Sequence, residues 1–231
     1  MFVGHFGPAF VATAARRSIP LWAAFAAVAS VDVCWSVLVL LGIEKVQIIP
    51  AASGPDALDL YYMPYTHSFL GALFWAVAVG FAWYLIRGRA ARAAAVILGA
   101  AAFSHWVLDW LVHRPDLPFY DDTLKVGLGL WSHRWLALVL ELALLLGGMY
   151  AYLARTQATS ALGRYGVPVF CGALVVIQAY FVFGPALGSG LLIAAALLAL
   201  YVFFAAIAAW LGAQRVPSPA ALDAQRLPIA G

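Results

Sequence analysis

Apolar residues gather in six long runs, roughly Ile19–Ile43, Ser68–Ile86, Ala93–Val112, Trp131–Ala154, Val167–Phe183 and Leu191–Leu211. Each is close to the ~20 residues that a helix needs to cross the hydrocarbon core of a bilayer. The alternating segments of about ten residues that mark a membrane barrel do not occur. The pattern therefore predicts an all-α, polytopic integral membrane protein with six transmembrane helices and a short apolar helix at the N-terminus. The whole chain, 1–231, reads as a single membrane domain. Within it, 1–154 carry the chemistry, 155–212 form two supporting spans, and 213–231, with Pro217, Pro219 and Pro228, read as a disordered tail.

The connections carry an orientation. Arg16 and Arg17, then Arg87, Arg89 and Arg92, then Arg155 and Arg164, then Arg215 and Arg226 fall in one alternate set of connections. The opposite set holds only Lys45, Arg114, Lys125 and Arg134, together with Glu44, Asp56, Asp59, Asp116, Asp121 and Asp122. The positive-inside rule places the arginine-rich set, and with it the C-terminus, in the cytoplasm. Residues 1–15 are apolar but short. They resemble a signal peptide in outline, although the apolar run continues to Ile43. The favoured expectation is a short helix ending at Arg16-Arg17 that points Met1 toward the outer face, a reach of about 20 Å at 1.5 Å per residue. An amphipathic segment lying on the inner surface is the alternative.

Composition agrees with a lipid environment. Apolar residues make up 65% of the chain and charged residues 10%, with a mean hydropathy of +0.94, whereas soluble domains carry about 25% charge. The formal charge of +3 sits in short arginine clusters and forms no basic face, which argues against a nucleic-acid partner. Cys34 and Cys171 both lie in apolar runs, as small buried hydrophobes, so neither a disulfide framework nor a cysteine zinc site is expected.

Polar residues inside the runs single out candidate chemistry. Asp32, Asp109 and Glu141 are carboxylates within spans. Counted inward from the outer ends, Asp109 is about 5 Å deep, His105 about 10 Å, and Asp32 and Glu141 about 15 Å. Ionisable groups at such depth cost roughly 2.5–3.5 kcal/mol each on insertion scales and usually serve a function. Pairing between helices is the plainer alternative for Asp32 and Glu141. No arginine or lysine matches their depth, so a bound cation is the natural counter-charge. His105 and Asp109 are four apart and share a helix face, and His113 extends the stripe to the point where Pro115 ends the helix. Two ligands at i and i+4 suit zinc. His67 opens the second run and His133 the fourth; His5 joins this outer set if the N-terminal helix is inserted. The alternatives are a solvated loop histidine at 113 and a lone interfacial histidine at 67, beside Tyr61, Tyr62 and Tyr65. Asp59, eight residues before His67, is a spare candidate ligand, with a solvated loop charge as the favoured reading. No nucleophile elbow, phosphate loop or Cys-x-x-Cys is present, and Gly127-Leu128-Gly129-Leu130 reads as a turn.

Together Gly4-His5, Pro64-Tyr65-Thr66-His67-Ser68, Ser104-His105-Trp106-Val107-Leu108-Asp109 and His113-Arg114-Pro115-Asp116-Leu117-Pro118 resemble a family of multi-spanning bacterial inner-membrane proteins regarded as metal-dependent hydrolases. The resemblance covers about residues 1–150. It implies a metal site from His5, His67, His105 and Asp109, with Asp32 as the acidic residue of the first long span. Ser132-His133 departs from the amide residue that the resemblance leads one to expect there. The order of His, Asp and Glu residues is also loosely similar to zinc-dependent phospholipase C and P1-type nucleases, which hints at more than one zinc.

These readings give three expectations about activity. The first is a hydrolase at the extracytoplasmic face of a bacterial inner membrane. His5, His67, His105, Asp109 and His113 would bind Zn²⁺, with Mn²⁺ or Fe²⁺ as substitutes, and Asp32 or Glu141 would act as ligand or general base. Its substrate would be a lipid or lipid-linked ester or phosphoester. The second is a transporter or a proton or metal relay. The third is a non-catalytic subunit with a structural metal.

Overall fold

The computed structural model describes residues 1–50, 52, 54–185 and 188–219. Seven α-helices dominate: α1 (Phe6–Ala15), α2 (Leu21–Leu40), α3 (Phe69–Arg87), α4 (Arg92–Val112), α5 (Arg134–Arg155), α6 (Ala161–Phe183) and α7 (Gly190–Gly212). The last six are long and apolar enough to cross a membrane. Their outward faces stay apolar: Phe74, Val77, Phe81, Val139, Val202 and Phe203 are all exposed. A bundle in water rarely presents so much apolar surface, whereas a bilayer leaves it at no cost.

Helix ends follow local chemistry. Ser68, Ser160 and Ser189 cap α3, α6 and α7, their hydroxyls accepting from the backbone N–H of Gly71, Gly163 and Leu192. Because Ser160 caps it, α6 starts at Ala161, six residues before the apolar run suggests, and carries Arg164 and Tyr165 in its first turns. At the other end of the bundle α5 begins at Arg134, after a single 3₁₀ turn over Leu130–Ser132.

Two small antiparallel sheets depart from the all-helical expectation. β1 (Lys45–Ile48) pairs with β2 (Leu58–Tyr62) between α2 and α3. β3 (Thr156–Ala158) pairs with β4 (Arg215–Pro217). The second sheet also corrects the expectation of a disordered tail from 213. Arg215 donates from Nε to Thr156 Oγ1, from Nη1 to the Gly163 carbonyl and from Nη2 to the Thr156 carbonyl, which ties the chain down as far as Pro217. The rest of that expectation, 220–231, lies outside the described residues.

The short α1 is inserted into the bundle rather than lying on it. Phe6, Ala9 and Phe10 are fully buried, and Phe6 stacks on Phe25 of α2 at 4.6 Å. The insertion depends on close backbone approach to α5. A Cβ on Gly7 would collide with the Leu144 carbonyl, and one on Gly148 would collide with the Gly7 backbone. This contact fixes how far the N-terminal segment reaches along α5, and therefore where His5 sits. The substitution Gly148→Val should push α1 off α5 and lower stability by about 1–3 kcal/mol, as overpacking does. A fall in the thermal midpoint of the detergent-solubilised protein checks this; an unchanged midpoint would show that the approach is not tight.

Candidate metal centre

Three connections meet at one end of the bundle: those after α2, α4 and α6. There α2 brings Asp32, the start of α3 brings His67, α4 brings His105 and Asp109 and ends at His113, and the segment before α1 brings Met1 and His5. All six of the last-named side chains and Asp32 are buried. The His67 and His105 rings lie 5.5 Å apart between centroids, and His5 stacks on His105 at 3.7 Å and 9°. Residues more than sixty positions apart in sequence thus line one pocket.

Three of the four imidazoles around the carboxylates are held from behind. His105 Nδ1 lies 2.8 Å from the Val28 carbonyl, which can only accept, so Nδ1 carries the proton. His67 Nδ1 lies 2.9 Å from Thr66 Oγ1, and the Thr66 hydroxyl donates to Glu44 at 2.6 Å, so the hydroxyl oxygen accepts from His67. His113 Nδ1 lies 2.9 Å from Asp116 Oδ1, and Asp116 is itself held by Arg114 at 3.3 Å. In the neutral form of each ring the lone pair is on Nε2, and these nitrogens face carboxylates: His67 and His105 meet Asp32 and Asp109, and His113 meets Asp109. His67 Nε2 is 3.3 Å from Asp32 Oδ1 and 3.7 Å from Asp109 Oδ2. His105 Nε2 is 3.5 and 3.1 Å from the same two atoms. His113 Nε2 is 3.8 Å, and His5 Nε2 3.2 Å, from Asp109 Oδ1.

A protein acceptor behind one ring nitrogen and a free lone pair in front is the arrangement of metal-binding histidines. The front nitrogens of His5 and His105 are buried and make no hydrogen bond, a costly state that a cation in their midst relieves. Two overlapping groups, His5–His105–Asp109 and Asp32–His67–His105, have ligand atoms within 4.8 Å of one another. Such a donor set of imidazole and carboxylate could hold a metal ion. Asp109 presents Oδ1 to His5 and His113 and Oδ2 to His67 and His105, so it faces both groups.

Sequence reasoning overlooked several groups. The Met1 amino group forms an ion pair with Asp109 Oδ1, a cation absent from the count of arginines and lysines at that depth. The Tyr201 hydroxyl of α7 donates to Asp32 Oδ2, and Gln178 of α6 accepts from the Val3 N–H, so the two last spans contribute to the site beyond support. Glu44, which looked like a loop charge, is buried and accepts from the Tyr65 and Thr66 N–H groups as well as the Thr66 hydroxyl. Burial pushes its carboxyl above the usual carboxylate range, against those hydrogen bonds. Thr66, beside a candidate histidine and within the Tyr65–Ser68 stretch, was the available signal.

Other expected residues sit elsewhere. Glu141 is buried, but its Oε2 accepts from the Phe2 and Gly4 N–H groups at 2.9 and 3.2 Å, so it anchors the N-terminal segment and belongs to neither ligand group. His133 is exposed at the start of α5, away from the cluster. Asp59 pairs with Arg114 and Gln47. The Gly127–Leu130 turn has a definite task. Leu128 and Gly129 donate to the carbonyls of Trp110 and His113 at the end of α4, and Gly127, at φ 156°, lies where a Cβ would strike the Arg114 and His113 carbonyls. The turn lays Trp131 over the His113 ring at 4.2 Å.

The tether behind His67 is the most easily cut. Thr66→Val keeps the shape of the side chain and removes the hydroxyl between Glu44 and His67. It should weaken metal affinity by roughly 10–100-fold, read by competitive titration of the purified protein with a zinc chelator. Equal affinity in both proteins would show that the tether does not orient a ligand. Comparison with known proteins leaves this geometry to speak for itself: no family model matches the chain, and no curated protein or solved structure matches it.

Proposed function

We propose that the chain is a multi-pass protein of a bacterial inner membrane that hydrolyses an ester or phosphoester with a divalent metal, zinc before manganese or iron. One observation carries the reading: His67, His105 and His113 each have Nδ1 tethered, with Nε2 of the first two facing Asp32 and Asp109 and that of His113 facing Asp109. The positive-inside rule puts the cluster on the extracytoplasmic side, since the arginines gather around Arg17, Arg155 and Arg215 at the far end of the bundle.

A cavity of about 40 Å³ touches Asp32, His67, Asp109 and His113, enough for a water beside an ion. His5, His67, His105, Asp109 and His113 would hold the metal. The bound ion supplies positive charge that lowers the pKa of a water in the cavity toward about 7 and polarises the group under attack. Asp32, which lines the cavity, would take a proton from the attacking water. Tyr201 fixes one oxygen of Asp32 and so aims the other. Glu141, through the Phe2 and Gly4 N–H groups, positions His5. The relay or transporter alternative lacks a continuing path: among the described residues, no carboxylate lies toward the arginine-rich end of the spans.

Elemental analysis of the purified protein should find a divalent metal bound at one equivalent or more, and the protein should hydrolyse a nitrophenyl ester or phosphodiester. His105→Ala, which removes the residue common to both ligand groups, should lose the metal and reduce turnover by at least about 100-fold. A metal-free wild type that resists reloading, or turnover unaltered in His105→Ala, overturns the proposal.

A further inference from the structure

The cavity at the cluster is too small for a substrate, but it does not end there. A second cavity, of about 150 Å³, lies against it, and the two share Phe2, Leu58, Phe181 and Leu197 as walls. This outer cavity runs between α6 and α7, bounded by Ile177 and Tyr180 on one side and Ala196 and Leu200 on the other. Among the described residues its lining contains no charged side chain. Tyr180 is 56% exposed, and Ile177, Ala196, Leu197 and Leu200 are each partly exposed, so the cavity opens sideways through the flank of the bundle. α7 packs its length on α2 and meets α6 only sparsely, which is what leaves the cleft.

Both walls belong to helices long and apolar enough to span a membrane. What reaches a sideways opening in such a wall is hydrocarbon, and an uncharged lining of Ile, Ala and Leu welcomes it. The volume is that of an engineered cavity able to take up benzene, room for a short stretch of a chain. Phe2, only 3% exposed, lines both cavities, and the inner one also touches Asp109 and His67.

We propose that this cleft is the entry and seat for one hydrocarbon chain of a membrane lipid, whose polar linkage is thereby carried to the carboxylates and imidazoles. The inference rests on the hydrolytic reading for its substrate class, but the chain site itself stands on the cavity. A water-soluble ester of the same polar group would be a poor substrate because it gains nothing from the cleft. Chain selection falls to Ile177, Ala196 and Leu200, none of which touches the metal centre.

The test has two arms on the full-length protein in vesicles of bacterial phospholipid. A phospholipid with a diazirine near the end of one acyl chain is photolysed, and the adducts are mapped by mass spectrometry. Adducts at Phe2 are expected, because it is 3% exposed and lines the cleft; Ala196→Phe, which fills the cleft, should reduce them several-fold. Adducts confined to outward residues such as Val202 and Phe203 would overturn the proposal. In the second arm, hydrolysis of long- and short-chain esters is compared. Ala196→Phe should lower kcat/KM for the long chain by roughly tenfold or more and leave the short one within about twofold, while Ile177→Ala should shift preference to a longer or bulkier chain. Equal losses on both substrates in Ala196→Phe, with Ile177→Ala inert, also overturn it. Internal adducts without hydrolysis of any ester would retain the chain site and reject the hydrolytic reading, so the two fail separately.

Discussion

Asp32 and Asp109 carry negative charge into a packed interior, and the rest of the site is arranged around the need to balance it. Removing an ion from water costs several kcal/mol even after relaxation, and it is repaid only by a counter-charge in good geometry. Asp109 has the Met1 amino group on one oxygen; Asp32 has only a phenol and two imidazole edges. The far nitrogens of those two imidazoles give their protons to Thr66 and the Val28 carbonyl, so neutral rings have none left for Asp32. With neutral imidazoles, what remains is a ring of lone pairs and carboxylate oxygens facing one another across 3–4 Å. Such a ring is repulsive by itself and attractive around a cation.

The bundle serves this ring by bringing together segments that have no reason to meet otherwise. Glycines on α1 and α5 let the N-terminal segment slide close, and Glu141 grips its backbone. The turn at Gly127 closes the end of α4 and lays Trp131 over His113. Arg114 reaches from the same place to the Leu58 carbonyl and Asp59, joining the helix end to the β1–β2 hairpin. Each device lies within a few residues of a candidate ligand, so rigidity is concentrated where the geometry matters. The α6–α7 cleft is the opposite case, a place where the packing is left open.

The sequence made much of this legible, and the reasons are physical. A run of twenty apolar residues has few fates, so the six helices could be read within a few positions at most ends. Polar residues inside such runs are costly, so Asp32, His105, Asp109 and Glu141 announced themselves. His105 and Asp109 could be paired because helical periodicity is local. What could not be read was the long-range part. Nothing near Glu44 indicates that it lies behind His67, and nothing near Tyr201 points to Asp32 across 169 positions of chain. The division of labour between Asp32, on the cavity wall, and Glu141, on the N-terminal backbone, was equally invisible, since both look alike as carboxylates deep in a span. Ordering of the segment at Arg215 was missed because its stability comes from a guanidinium bonded to the α5–α6 connection, whereas the prolines beside it suggest disorder.

The claim at the centre of this account is that imidazoles and carboxylates, and no sulfur, surround a cation at the meeting point of α2, α3 and α4. X-ray absorption at the zinc edge, on zinc-loaded protein, measures that shell directly. The account predicts nitrogen and oxygen neighbours at about 2.0–2.1 Å with the outer scattering of at least two imidazole rings. A sulfur neighbour near 2.3 Å, which would place the metal on Cys34 or Cys171, or a shell of water oxygens without imidazole scattering, would contradict it.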